Sequence, residues 1–195
     1  MVLDIWRNLR LALTLLVLLG LGYSLVLVGI GQVFFPSQAN GSLIVHDGKV
    51  VGSALIGQSF TGRGLFHSRP SATVNAMTGK PEPYNADSSS GSNLGPTNPA
   101  LLSEIKQNVA ALQGQVSGPM PGNLVESSAS GLDPEITLQA ALDQVPAVAT
   151  QTGVGQADLR RLVLKEAEGP LFDLYGPWRV NVLKLNLALL KLERR

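Results

Sequence analysis

The 195-residue chain has no cysteine, no excess of either charge beyond a formal +1, and only two histidines. Without cysteine there can be no disulfide, no thiolate chemistry and no Cys-ligated metal, so a domain in an oxidising compartment must fold on packing alone. Beyond residue 35, Lys and Arg balance Asp and Glu at thirteen each. That balance excludes a basic footprint for nucleic acid and an acidic tail. His46 and His67 have no second histidine at ligand spacing, so each reads as a surface or hydrogen-bonded residue, and no metal site is expected. No serine-hydrolase elbow, zincin helix motif or phosphate-binding P-loop is present. Ser90-Gly91-Ser92-Asn93 has the composition of a phosphate nest, but Gly and Ser gather in turns for conformational reasons alone. Arg69 and Arg179 are open to two readings: anion binding, or a charge that packs its stem and solvates its head.

Charge is also missing from Leu11 to Phe35, and this absence organises the chain. Twenty-five helical residues reach roughly 37 Å against a hydrocarbon core of about 30 Å, enough to span a bilayer with some tilt. Sixteen of the positions are Leu, Ile, Val or Phe, each favouring insertion near the helix centre. Arg7, Arg10 and the α-amino group precede the span with only Asp4 opposing them. The positive-inside rule therefore keeps residues 1–10 cytoplasmic and puts residues 36–195 outside. A cleaved signal peptide, ending at Ser37-Gln38-Ala39, is the weaker reading, because signal h-regions run about 7–15 residues. On a wheel of 100° per residue Gly20, Ser24 and Gly31 share one face, and Gly22 and Gly29 lie nearly opposite. Small residues on two faces would admit two neighbouring helices in lipid. Gln32, near the outer end, sits at the interface or bonds to a partner.

About 160 residues follow, enough for one domain with a real core. Residues 36–42 read as a linker. Ser42 to His46 and Lys49 to Ile56 are β-rich runs around Asp47-Gly48, a strong hairpin signal. Gln58 to His67 adds a candidate short strand. From Ser68 to Asn98 there is no period, and a patternless stretch of that length is expected to be an ordered, functional loop. Asn98 as cap and Pro99 at the first helical position open a helix to Gly114, with Leu101, Leu102, Ile105, Val109 and Leu112 on its apolar face. Asp133-Pro134-Glu135 repeats the device, predicting a helix to about Gln144. Pro146 then forces a break, a short helix at Ala147 to Gln151 ends at Gly153, and another helix covers Asp158 to Ala167. Arg179 to Lys184 reads as a strand and Asn186 to Leu192 as a helix. The fold class is an α+β extracytoplasmic domain on a single N-terminal transmembrane helix, its small antiparallel sheet made of the opening hairpin and the C-terminal strand.

Four segments, in order after one membrane helix, carry a resemblance that covers the whole chain. They are Arg69-Pro70-Ser71-Ala72, SNLGPTNPAL from Ser92 to Leu101, SGLDP from Ser130 to Pro134, and RVNVLKLNLAL from Arg179 to Leu189. The chain resembles the C subunit of the Kdp potassium-transporting P-type ATPase, the KdpC family. Departures from that pattern fall at Ser90, Ala129, Glu135, Ala147 and Thr152.

The resemblance implies a single-pass subunit of a bacterial plasma-membrane complex. Its partners would be a potassium-channel-like subunit, a P-type ATPase catalytic subunit and a small membrane subunit. ATP and potassium would be handled by the complex, with no cofactor on this chain, although nucleotide binding by this subunit has been entertained for the family. The role implied is a non-catalytic accessory subunit that stabilises a high-affinity potassium uptake pump. Residues expected to contact other subunits or brace the domain are Arg69, Ser71, Ser92, Asn93, Thr97, Asn98, Ser130, Asp133, Arg179 and Asn181. The competing class is a stand-alone, membrane-anchored extracytoplasmic binding module or enzyme. A third reading is an assembly factor that leaves the finished pump.

Overall fold

A computed structural model describes residues 2–193. By the density of its contacts the chain divides into Met1–Val51 and Gly52–Arg195.

In the first unit a long apolar helix runs as α1 (Val2–Leu15), a π-helical segment (Leu16–Tyr23) and α2 (Ser24–Phe34). Its stretch Asp4–Phe34, with mean hydropathy 2.5, is the one helix among the described residues long and apolar enough to cross a membrane. The π segment contains Gly20 and Gly22. Its bonds close five residues back rather than four, so the chain turns by less than 100° per residue there. The face relations expected of Gly20 and Gly22 therefore do not carry across it, while Ser24, Gly29 and Gly31 keep regular α spacing within α2.

The expected linker is in part a one-turn helix, α3 (Pro36–Ala39), with Pro36 at its first position. It is held back on α2 by Asn40, whose Nδ2 donates to Gln32 Oε1 at 3.1 Å and to Pro36 O at 2.7 Å. The turn passes close to Gly31, where a Cβ would lie 3.8 Å from that of Ala39, at ordinary van der Waals distance. The hairpin follows as β1 (Leu43–His46) and β2 (Lys49–Ser53). Asp47 and Gly48 take φ values of 49° and 74°, the left-handed pair of a type I′ turn.

The second unit is built on three helices and a second sheet. β3 (Glu135–Thr137), β4 (Ala167–Glu168) and β5 (Arg179–Asn181) form an antiparallel sheet in the order β3-β5-β4, with Ile136 and Ala167 both opposite Val180. The sheet expected to join the opening hairpin to the C-terminal strand is thus two sheets. Helices α5 (Leu138–Thr152), α6 (Gln156–Glu166) and α7 (Val182–Glu193) pack in succession, α5 on α6 and α6 on α7. Ala140, Ala141, Val145, Leu159, Val163, Val180, Leu185 and Leu189 are fully buried between them.

α4 (Pro99–Ala111) begins as expected, with Asn98 Oδ1 accepting the Ala100 N–H at 2.9 Å. Its apolar face is less covered than its spacing implies: Leu112 is buried, but Leu102 and Val109 are exposed. α6 and the end of α5 at Gly153, which is left-handed at φ 76°, also agree with the sequence reading.

Several elements differ, each for a local reason. Asp133-Pro134 opens a strand rather than a helix. Asp133 Oδ1 accepts the Glu135 N–H at 3.0 Å in an Asx turn, and the next residues pair with β5. The helix cap is Thr137, whose Oγ1 accepts from Ala140 N. Pro146 does not break α5, and the expected separate helix at Ala147–Gln151 is its last turn and a half. Ser117, from outside the helix, donates to Asp143 O, one turn before the proline, from its N–H at 2.8 Å and its hydroxyl at 2.9 Å. Gln58 to His67 forms no strand. Near the C-terminus the strand stops at Asn181, whose Oδ1 accepts the Lys184 N–H at 3.1 Å, so α7 starts four residues earlier than expected.

Candidate functional site

The loop from Ser68 to Asn98 has almost no regular structure: one bridge between Val74 and Pro81, and a 3₁₀ turn at Ala86–Ser88. Side chains order it instead. Ser71 Oγ donates to Gly131 O at 2.7 Å and accepts the Tyr84 N–H at 2.9 Å, joining both arms of the loop to the Ser130–Pro134 turn. Thr73, 1% exposed, donates to Glu82 O at 2.6 Å and accepts the Asn85 N–H at 3.1 Å. The Tyr84 hydroxyl donates to Arg69 O at 2.7 Å, and burial pushes its pKa up. Ser89 Oγ donates to Ser130 O at 3.0 Å, and Ser130 Oγ accepts the Leu132 N–H at 3.1 Å. In each case a short hydroxyl does what a neighbouring strand would otherwise do.

One charge pair closes this web. Arg69 Nη1 lies 3.0 Å from Asp133 Oδ2, both side chains about three-quarters buried, with side-chain exposures of 23% and 29%. Beside it is an open depression of about 630 Å³ lined by Leu55, Ile56, Arg69, Ser128, Ser130 and Asp133 among others. The turn is tight enough to require glycine. Gly131 has φ 67°, and a Cβ on it would come within 2.5 Å of Thr73 Cγ2 and 2.6 Å of Ser90 O. Gly91 is also close-packed, on Ala129, whose carbonyl oxygen would be 2.9 Å from an added Cβ. Ser90 and Ala129 thus lie against the tight backbone of this turn.

Of the residues singled out by sequence, the structure brings Arg69, Ser71, Ser130 and Asp133 together. Ser92 is half-buried, whereas Asn93 (φ 53°) and Thr97 are exposed, and Asn98 is engaged in capping α4. Asn181 is buried in β5, where its Nδ2 donates to Ala54 O at 2.9 Å. Arg179 belongs to a different cluster, in which its Nε donates to Glu135 at 3.0 Å, while Glu168 takes Arg179 at 3.5 Å and Lys184 at 3.2 Å. Burial raises the Glu135 pKa, against the opposing pull of Arg179.

Sequence reasoning passed over the most buried polar residues. Asn186, 2% exposed, accepts the Phe66 N–H at 2.8 Å and donates to Phe66 O at 3.0 Å. Gln144, 1% exposed, accepts the His67 N–H at 2.7 Å and donates back to His67 O at 3.3 Å. These amides pair with the backbone where a strand had been expected. An amide within the apolar runs of α5 and α7 was the available signal. His67 is hydrogen-bonded at both nitrogens, to Phe60 O at 2.9 Å and to Gln115 Oε1. Among the described residues no three His, Asp or Glu side chains converge on a common point. The site's chemistry is that of hydroxyls and amides holding irregular backbone in one shape.

Comparison with known proteins decides what that shape belongs to. Residues 5–191 match the model of the family described as K+-transporting ATPase, c chain, KdpC. The chain belongs to the KdpC family. A KdpC relative from Methylorubrum populi, named potassium-transporting ATPase KdpC subunit, is 50% identical over 96% of this chain and 98% of its own length. KdpC subunits of the same name from Rhodopseudomonas palustris strain BisB18 and Methylobacterium nodulans are 52% and 49% identical, each covering 93% of this chain and 93% and 94% of their own. The span of the KdpC match includes both the apolar helix and the Arg69–Asp133 web.

Proposed function

We propose that the chain is a non-catalytic accessory subunit of an ATP-driven potassium uptake pump, stabilising the assembly of channel-like, P-type ATPase and small membrane subunits. The observation that carries this reading is the near full-length family match, from helix to C-terminus, to relatives named as potassium-transporting ATPase subunits. The geometry supports it. Arg69, Ser71, Ser130 and Asp133 are engaged with one another and with backbone, bracing a long loop into a fixed surface suited to recognition. ATP and potassium are then handled by the partner subunits, with no cofactor held by this chain. The charge asymmetry around the apolar helix supports a cytoplasmic N-terminus and an extracytoplasmic domain. In this arrangement the 69–98 loop and the Ser130–Pro134 turn face the channel-like subunit.

The test is gentle detergent purification through a tag on this chain from cells expressing the whole complex, with potassium-stimulated ATP hydrolysis measured on the eluate. Stoichiometric recovery of ATPase and channel-like subunits is expected. Recovery of this chain alone while its partners remain intact in the same extract would overturn the reading, and would favour an independent membrane-anchored module. Sub-stoichiometric recovery, lost from the mature pump, would point to an assembly factor.

A further inference from the structure

Between β4 and β5 the chain makes a protruding turn, Gly169 to Trp178, whose apolar side chains face solvent. Phe172, Leu174 and Tyr175 are 79%, 78% and 68% exposed, and Leu171 and Trp178 are more than half exposed. The turn has a defined backbone. Leu171 N–H donates to Tyr175 O at 2.9 Å and Tyr175 N–H to Leu171 O at 3.1 Å, and at its base the Trp178 ring lies against Gly169. Its two apical residues, Phe172 and Asp173, have φ values of 54° and 57°. Successive left-handed residues make a type I′ turn, for which Asn-Gly is the low-strain choice. Here a bulky aromatic and an aspartate take those positions at a conformational cost, holding Phe172 outward at the tip.

From this arrangement we infer that the 169–178 turn is a docking knob for an apolar pocket on another subunit of the pump, rimmed by a Lys or Arg that receives Asp173. The inference deepens the accessory-subunit reading and rests on it. Charge selects a protein over a lipid surface. Asp173 is the turn's single charge and has no ion pair among the described residues, and no Lys or Arg lies between Gly169 and Trp178. Interfacial membrane anchors carry Lys and Arg on their polar side, which this turn lacks. Area argues against self-pairing. With about 150–250 Å² per aromatic side chain, the turn offers on the order of 500 Å² of apolar surface. That falls short of the roughly 800 Å² per partner in a standard interface, so two such turns face to face would make a poor dimer. As the anchor at the centre of a larger interface, a cluster of Trp, Tyr, Phe and Leu is of suitable size and kind.

The experiment uses the full chain co-expressed with its complex and purified through its tag in mild detergent. Phe172→Ser/Leu174→Ser/Tyr175→Ser should lower recovery of partner subunits at least about tenfold, with the chain's own melting temperature unchanged because these side chains are exposed. Asp173→Lys should lower it severalfold. In the otherwise native chain, a photoreactive benzoylphenylalanine at position 172 should cross-link to a subunit of the pump at a peptide containing Lys or Arg. Wild-type stoichiometry in the triple variant, or cross-linking only to lipid or to a second copy of this chain, would overturn the inference and leave the accessory-subunit reading standing. Failure of the wild-type chain to recover any partner would overturn both.

Discussion

Replacing Asn186 by Leu tests whether side-chain amides hold the loop onto the helical core. The substitution keeps an apolar volume of similar size in α7 but removes both partners of Phe66, whose residue is fully buried. A buried N–H and a buried C=O are then left without partners, each at about 1–3 kcal/mol, for a loss of roughly 2–6 kcal/mol. Asn186→Ala should cost somewhat more, because it leaves a small cavity as well. The assay is urea unfolding of the full chain in detergent, followed by circular dichroism, together with amide hydrogen exchange across residues 60–68. The account expects a lower midpoint with unchanged slope, and faster exchange at Phe66 and His67. A Leu variant within about 0.5 kcal/mol of wild type, with those amides still protected, would refute the reasoning, since a bond of this kind should be worth more.

Gly131→Ala combines a left-handed backbone with contacts of 2.5 and 2.6 Å for the new methyl. It should cost roughly 2–4 kcal/mol, read as a lowered melting temperature. Arg69→Ala and Asp133→Asn should be coupled rather than additive. A charged hydrogen bond that is about a quarter exposed supports a double-mutant coupling of roughly 1–2 kcal/mol, and additivity would show that the pair does not act as one. For Glu135, burial raises the native pKa above that of the unfolded chain. The folded state therefore holds this proton more tightly, so the group's contribution is fully present below the ordinary Glu value and is lost as pH rises through the native one. Glu135→Gln should flatten that decline in unfolding midpoint just above the ordinary Glu range, and an unchanged pH profile would contradict it.

Much of this fold could be read from sequence where one local signal decided the outcome. The uncharged run from Leu11 to Phe35, Asp47-Gly48 in the hairpin, Asn98-Pro99 at the start of α4 and Gly153 at the end of α5 all act through their immediate neighbours. The misreadings came where a distant residue decided. Asp133-Pro134 has the composition of a helix start, but pairing of Glu135–Thr137 with β5, more than forty residues away, makes it a strand. Pro146 lies within α5, where Ser117, more than twenty residues away, is bonded to Asp143 O one turn before it. The stretch before His67 forms no strand, and at its end Asn186 and Gln144, in distant helices, take the backbone bonds of Phe66 and His67 that a neighbouring strand would have made. The apolar helix does not keep a constant pitch, because Leu16 to Tyr23 is π-helical, and a uniform 100° per residue does not hold across it. Of the candidate site, Arg69, Ser71, Ser130 and Asp133 were found through the family resemblance. Tyr84, Asn186 and Gln144 were not, because their importance lies in burial, which residue type alone does not disclose.

The most direct measurement of the central proposal compares the pump purified from cells with and without this chain, through a tag on the ATPase subunit. The account predicts that without the chain the channel-like subunit no longer co-elutes at fixed stoichiometry and potassium-stimulated ATP hydrolysis is lost, while the isolated chain hydrolyses no ATP. An intact, potassium-stimulated complex purified in its absence would contradict the account.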